Sequence, residues 1–143
     1  KSKDKVQSKI QREKYGRPEF TEAQGEYEGF KRDESQDSGI DEAVKNGKAR
    51  VVEMTPEQYI HECAHYIFED STFERTLRGR LGDKDTEKYA KMMRDGVKFD
   101  TPYLKYAEIG EGGQEGLHRA VAAWMNGIEK IPVIIVGKRS KLR

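Results

Sequence analysis

The chain has 143 residues, the size of one ordinary domain, and its single cysteine, Cys63, excludes a disulfide-stabilised scaffold. Charged residues make up 37% and hydrophobic residues 34%, so only part of the chain can form a packed core. Lys and Arg total 27 against 26 acidic residues, which excludes binding of nucleic acid through bulk positive charge and leaves only local clusters. No apolar run reaches the roughly 18 residues that suggest a membrane span. No signal-peptide pattern opens the chain, and we therefore expect a cytoplasmic protein that does not contact membranes.

Residues 1–48 form the more polar part of the chain. Apolar side chains are sparse there, no helical or strand period is sustained, and glycine recurs at short intervals. This composition predicts a flexible arm or linker. The alternative is an arm that wraps a protein partner, with aromatic anchors at Tyr15, Phe20, Tyr27 and Phe30.

From Ala49 the pattern predicts an ordered domain that extends to residue 137. Ala49–Met54 is a short β-branched run, typical of a strand. Thr55 is a good N-cap and Pro56 suits the first helical position, so we expect a helix that ends near Asp70. The segment 71–82 has apolar residues at spacing four and two glycines, and it remains unassigned.

The second half of the domain alternates helices and strands. A helix capped by Asp85 or Thr86 and stopped by Gly96 is predicted, with a buried stripe of Tyr89, Met92 and Met93. A strand follows Pro102, then a loop over residues 108–116, a helix from Leu117 to Asn126, and a buried strand at Ile131–Val136. This order predicts a small α/β or α+β layer fold. The basic residues of the segment 138–143 indicate a solvated tail or a contact with nucleic acid or an acidic partner.

The glycine-rich loop before Leu117 is the most informative segment. Free N–H groups and the positive end of the helix dipole attract phosphate, and glycine lets the backbone approach a ligand closely. The planar guanidinium of Arg119 suits bidentate contacts with phosphate oxygens. We expect His118 and Arg119 at the rim of the helix, with four side chains toward the core: Leu117, Ala120, Val121 and Trp124.

Residues Thr86 to Val136 resemble the ParB/sulfiredoxin-like superfamily. The order and spacing of a helix, a strand, a turn, a second helix and a terminal strand match over about fifty residues. Gly116-Leu117-His118-Arg119 lies where sulfiredoxins have Gly-Cys-His-Arg and ParB proteins have Gly-Glu-Arg-Arg. The segment is most similar to ParB-like domains of phage and mobile-element proteins. The resemblance implies a DNA- or nucleotide-related role in the host cytoplasm or the phage particle.

The resemblance also implies a fold and a site. The fold is α+β, with a small mixed sheet packed against helices over residues 49–137. The site would hold the phosphates of a nucleotide triphosphate (CTP or ATP), with Mg²⁺, or those of nucleic acid. Its implied residues are Gly113, Gln114, Gly116, His118 and Arg119.

Within that set, His118 and Arg119 are the candidate catalytic pair for nucleotide or phosphoester hydrolysis. His118 would donate a hydrogen bond or act as acid and base. Three carboxylates are conceivable helpers: Asp95, Asp100 and Glu115. Because Leu117 replaces both the sulfiredoxin cysteine and the ParB glutamate, neither sulfinic-acid reduction nor CTP hydrolysis is the leading expectation.

A second motif, His61-Glu62-Cys63-Ala64-His65, matches H-E-x-x-H on a predicted helix. The spacing places both imidazoles on one helix face, where they can share a zinc ion, with Glu62 as general base of a metallopeptidase. The candidates for a third ligand are His118, Glu87 and Asp70. The alternative interpretation is a solvated helix face, with Cys63 as a buried, small apolar residue.

Three functions therefore remain open. The leading one is a phosphate-binding domain of a phage or mobile-element protein, for nucleotide or nucleic acid, with or without hydrolysis of these ligands. The second is a zinc metallopeptidase that uses His61, Glu62 and His65. The third is a non-catalytic protein-interaction domain.

Overall fold

A computed structural model describes residues 20–68, 71–106 and 112–138. A five-stranded mixed sheet forms the centre of this part of the chain, in the spatial order β1-β2-β5-β3-β4. Its strands are β1 (Thr21–Glu22), β2 (Ala49–Met54), β3 (Tyr103–Lys105), β4 (Gly113–Glu115) and β5 (Ile131–Val136). β5 runs antiparallel to β2 and parallel to β3, while the two outer strands pair antiparallel with their neighbours. The apolar sequence of β5 fits its central position, because both of its faces are covered.

Five α-helices and one π-helical turn accompany the sheet within the described ranges. They are α1 (Ser38–Lys45), α2 (Pro56–Glu62), the π turn (Cys63–Ile67), α3 (Phe73–Arg78), α4 (Lys84–Arg94) and α5 (Leu117–Met125). α5 packs against both α2 and α4. No helix in the described part of the chain is long and apolar enough to span a membrane. The architecture is therefore α+β, with a mixed sheet and helices packed on it.

Several predicted elements are confirmed. β2 and β5 cover the predicted residues, and they pair along their whole length from Met54–Ile131 to Ala49–Val136. The hydroxyl oxygen of Thr55 accepts a hydrogen bond from the Gln58 N–H at 3.0 Å, as expected of an N-cap. Cys63 is buried, as predicted.

The prediction of a flexible arm is wrong for residues 20–48. This segment contributes β1 and α1, and Phe30 is fully buried in the main core. On either side of Phe30, the Lys31 N–H donates to Phe99 O and Gly29 O accepts from the Phe99 N–H. Because Phe99 lies far along the chain, no local pattern indicates that this segment is ordered. Tyr27 is buried in the same core rather than available to a partner. Tyr15, and the rest of the predicted arm up to residue 19, lie outside the described residues.

Other boundaries differ from the prediction. The helix begun at Pro56 changes to π geometry at Cys63 and ends at Ile67, and the predicted end at Asp70 lies outside the described residues. α4 begins two or three residues earlier than expected, because Asp83 is its N-cap and accepts a hydrogen bond from Asp85 N–H. The predicted loop before Leu117 contains β4, whose three residues pair with β3.

Candidate functional site

The turn into α5 is built on Gly116, whose φ of +130° favours glycine. A Cβ atom at this position would lie 2.5 Å from Pro102 Cβ, so the turn packs tightly against the segment before β3. The Gln114 side chain accepts hydrogen bonds from the Leu117 N–H at 3.1 Å and from the Tyr59 hydroxyl at 2.9 Å. Gln114 therefore occupies the first donor of α5 and ties the turn to α2.

The next two backbone N–H groups of α5 are those of His118 and Arg119. The Ala120 N–H bonds to Gly116 O at 2.8 Å, as the first intrahelical bond. Among the described residues, no hydrogen bond engages the N–H of His118 or of Arg119. The start of α5 thus retains two donors and the positive end of the helix dipole.

The imidazole of His118 lies on this first turn and its side chain is 37% exposed. Its Nε2 atom is 3.4 Å from Asp83 Oδ2. The pKa of Asp83 is lowered, first by the hydrogen bond from the Asp85 N–H and then by the neighbouring His118. The pair brings the N-termini of α4 and α5 together, with an ionised carboxylate between them.

Arg119 does not lie at the rim as expected, because the residue is buried with 8% exposure. Its Nη1 donates to Asp100 O at 2.6 Å, and its Nη2 donates to Glu115 Oε1 at 2.8 Å. Glu115 is the exposed member of this ion pair, at 62%. The guanidinium thus fixes the β4–α5 turn from inside the fold while its charge stays close to the start of α5.

The remaining expected helpers lie in different places. Asp95 pairs with Lys91 at 2.7 Å at the C-terminal end of α4, about 18 Å along the helix axis from Asp83. The carboxylate of Asp100 accepts from Lys31 Nζ at 3.1 Å, so only its backbone oxygen serves Arg119. Gly113 lies in β4, opposite Lys105 of β3. The structure therefore groups Gln114, Gly116, His118, Arg119 and Glu115 at one turn, and it places Asp95 apart from them.

The H-E-x-x-H residues form a buried polar cluster instead of a solvated face. His61 and Glu62 have no exposed surface and His65 is 1% exposed, so the expectation of a solvated face is wrong. Glu62 Oε2 contacts Gln58 Nε2 at 2.9 Å and His61 Nδ1 at 3.1 Å. Glu62 Oε1 accepts from the Tyr106 hydroxyl at 2.7 Å. Both oxygens of this carboxylate are therefore engaged within the protein.

The two imidazoles of this cluster lie side by side, with ring centroids 4.9 Å apart. Within residues 20–68, 71–106 and 112–138, no group of three or more His, Cys, Asp or Glu residues is arranged to hold a metal ion. Of the proposed third ligands, Asp70 lies outside the described residues, and His118 is paired with Asp83. Burial raises the pKa of the Cys63 thiol, and the nearby Glu62 carboxylate raises it further. The cluster is thus an enclosed polar core with a protonated thiol beside it.

Sequence reasoning missed Asp83, Gln58 and Tyr106. Gln58 precedes Glu62 by four residues, a helical spacing that could have suggested their contact. Asp83 stands before a helical segment, but Asp85 and Thr86 are equally good caps in the sequence. Tyr106 contacts Glu62 only through the tertiary fold, and no local pattern indicates it.

Comparison with protein-family models gives no matching family, and neither the curated proteins nor the solved structures contain a significant match.

Proposed function

We propose that this domain binds phosphate groups of a nucleotide or nucleic acid at the start of α5. The observation that carries the proposal is the partly exposed imidazole of His118 beside the N–H groups of His118 and Arg119, which bond to none of the described residues. Backbone N–H groups at a helix start bind anions through hydrogen bonds and the helix dipole. The imidazole of His118 on the same turn can add a side-chain hydrogen bond to the anion.

Arg119 supports this site from within. Its guanidinium holds Glu115 and the Asp100 carbonyl, so it orients the turn rather than reaching toward solvent. The Glu115 carboxylate neutralises this guanidinium, so Arg119 adds no net positive charge at the helix start. Arg119 is therefore a positioning residue in the proposal, and direct contact with phosphate is assigned to His118.

Asp83 competes with an incoming anion for His118. The carboxylate is 3.4 Å from the imidazole and is itself held by the start of α4. A phosphate on His118 would meet this like charge at short range, which weakens binding. We therefore expect Asp83→Asn to bind anions more tightly than the unmodified protein.

The resemblance to ParB/sulfiredoxin-like domains supports a nucleotide triphosphate, CTP or ATP, as the ligand. Mg²⁺ would arrive with the triphosphate, since Mg²⁺ in proteins is bound largely through phosphates and water. If hydrolysis follows binding, we assign the proton transfer to His118.

The test is a thermal unfolding and calorimetry panel with CTP, ATP, GTP and inorganic phosphate, each with Mg²⁺. A ligand at 100 times its Kd stabilises the folded state by about 2.7 kcal/mol, a Tm rise of roughly 10 °C for a domain of this size. The rise should vanish in His118→Ala and persist in the control Lys88→Ala, an exposed residue of α4. Equal shifts in both variants, or no shift with any of the four ligands, would refute the proposal.

A further inference from the structure

A concave surface lies at the opposite end of α5 from His118. It has a volume of about 360 Å³ and is formed where the start of α2 meets the end of α5. Trp124 is 38% exposed there, although the sequence predicted it to face the core. We call this surface the Trp124 groove; its lining includes Thr55, Pro56, Glu57, Trp124, Ile128 and Glu129.

The chemistry of the Trp124 groove suits a cationic side chain. Its lining combines an exposed indole ring with two carboxylates, Glu57 and Glu129, and it includes no basic residue among those the structure describes. Trp is the best ring for a cation–π contact with Arg or Lys. Carboxylates beside the ring add charge-assisted hydrogen bonds to the same cation.

The described chain begins at the end of the sheet where this groove lies. Thr21 of β1 pairs with Glu53 of β2, so the residue before Thr21 lies at the level of Met54. Met54 in turn pairs with Ile131 of β5. The groove is lined by residues 55–57, which follow Met54, and by residues 127–129, which precede Ile131. The described chain therefore begins at the end of the sheet where the groove lies.

The sequence before that point is strongly basic. Residues 1–17, which lie outside the described residues, carry seven Lys and Arg side chains against two carboxylates. Seventeen residues reach up to about 56 Å when extended, so their length permits contact with a groove at the same end of the sheet. The described chain thus begins at the end of the sheet that carries an acidic, aromatic groove, and the sequence that precedes it is basic.

We propose that the basic segment 1–17 binds in the Trp124 groove of its own chain, with a Lys or Arg side chain over Trp124 and paired with Glu57 and Glu129. This contact is independent of the proposed phosphate site, since Trp124 lies six residues beyond His118, about 9 Å along α5. Binding of the segment screens the indole from solvent and depends on attraction between unlike charges.

Trp124 is the only tryptophan, so its fluorescence reports on this groove alone. Salt at 1 M shortens the Debye length to about 3 Å and so weakens the attraction between the segment and the groove. In the full chain, we therefore expect acrylamide to quench the Trp124 fluorescence about half as efficiently at low salt as in 1 M NaCl. The double variant Glu57→Gln/Glu129→Gln should be quenched at low salt as efficiently as the unmodified chain is in 1 M NaCl, and salt should not change this efficiency. Glu28→Gln/Glu87→Gln, which removes two exposed carboxylates elsewhere, should behave like the unmodified chain. Quenching that is independent of salt in the unmodified chain would overturn the proposal.

Carbodiimide cross-linking of the full chain identifies the occupant. Amide bonds between a lysine of residues 1–14 and Glu57 or Glu129, within one chain and at a yield independent of protein concentration, are the expected result. Cross-links that form only between two chains, or none to either carboxylate, would overturn the proposal.

Discussion

Gly116→Ala tests whether the turn into α5 is fixed by backbone geometry. The new Cβ would lie 2.5 Å from Pro102 Cβ and 3.0 Å from Pro102 Cα, and the residue would hold a φ of +130°. Pro102 is buried, so it cannot move aside into solvent. The variant must therefore shift the Pro102 segment, the turn, or both.

The expected cost has two parts. Holding alanine in this sparsely populated backbone region costs about 1–3 kcal/mol. Forcing an extra methyl group into a packed contact costs about 1–3 kcal/mol more. The sum, about 2–6 kcal/mol, corresponds to a Tm decrease of roughly 8–24 °C for a domain of this size.

Two matched glycine variants separate these contributions. At Gly127, φ is +70° and a Cβ would meet no atom within 4 Å, so Gly127→Ala should cost only the backbone strain, about 1–2 kcal/mol. At Gly113, φ lies outside the left-handed region and the space is open, so Gly113→Ala should change stability by less than about 0.5 kcal/mol. Urea unfolding followed by circular dichroism gives all three values. If Gly116→Ala is no less stable than Gly127→Ala, the tight contact with Pro102 does not fix this turn.

Three further predictions concern the buried cluster and the pair at the start of α4. Glu62→Ala removes the acceptor for Gln58 and Tyr106, and we expect the free energy of unfolding in urea to fall by about 3–5 kcal/mol. Glu62→Gln should lower it less. Equal decreases in the two variants would contradict the assigned hydrogen bonds. Burial raises the pKa of the Cys63 thiol and so disfavours the reactive thiolate. Ellman's reagent at pH 8 should therefore react at least about 100-fold more slowly with the native protein than with the unfolded chain. Comparable rates would contradict the burial of this thiol. The folded-state pKa of Asp83 is lowered from 3.8, so its ionised form stabilises the protein above that pH and the benefit disappears as the pH falls through the folded pKa. The Tm difference between the unmodified protein and Asp83→Asn should therefore be present at pH 6 and shrink in acid; a constant difference would contradict the assignment.

The elements with strong local patterns were predictable from the sequence. β5 is a continuous apolar run, β2 is β-branched, and the Thr-Pro pair before α2 supplies both an N-cap and a preset φ. Each of these preferences is decided within a few residues. These local preferences agree with the tertiary packing, and the observed strands cover the predicted residues.

Residues 20–48 show where local patterns fail. Phe30 is fully buried because the residues on either side of it, Gly29 and Lys31, bond to the backbone of Phe99 and its ring enters the main core. Tyr27 bonds through its hydroxyl to Glu53 of β2 at 2.6 Å. Phe99 and Glu53 are distant in sequence from the residues they contact. Such contacts produce no periodic pattern of apolar residues in the sequence.

The helix that carries the candidate residues was predictable from the sequence, but the directions of their side chains were not. The glycine-rich turn and the basic pair at the start of α5 were identified from residue type and spacing. The direction of the Arg119 side chain depends on the Asp100 carbonyl and on Glu115, which only the fold brings together. The burial of Glu62 likewise depends on Tyr106, 44 residues away.

The most direct test of phosphate binding at α5 is a titration monitored by the backbone amide resonances in ¹H–¹⁵N spectra, with CTP or ATP and Mg²⁺ added to the full chain. We expect saturable shifts that are largest at the N–H groups of His118 and Arg119 and absent in His118→Ala. Shifts concentrated elsewhere, or none at these two amides at millimolar nucleotide, would contradict the proposed function.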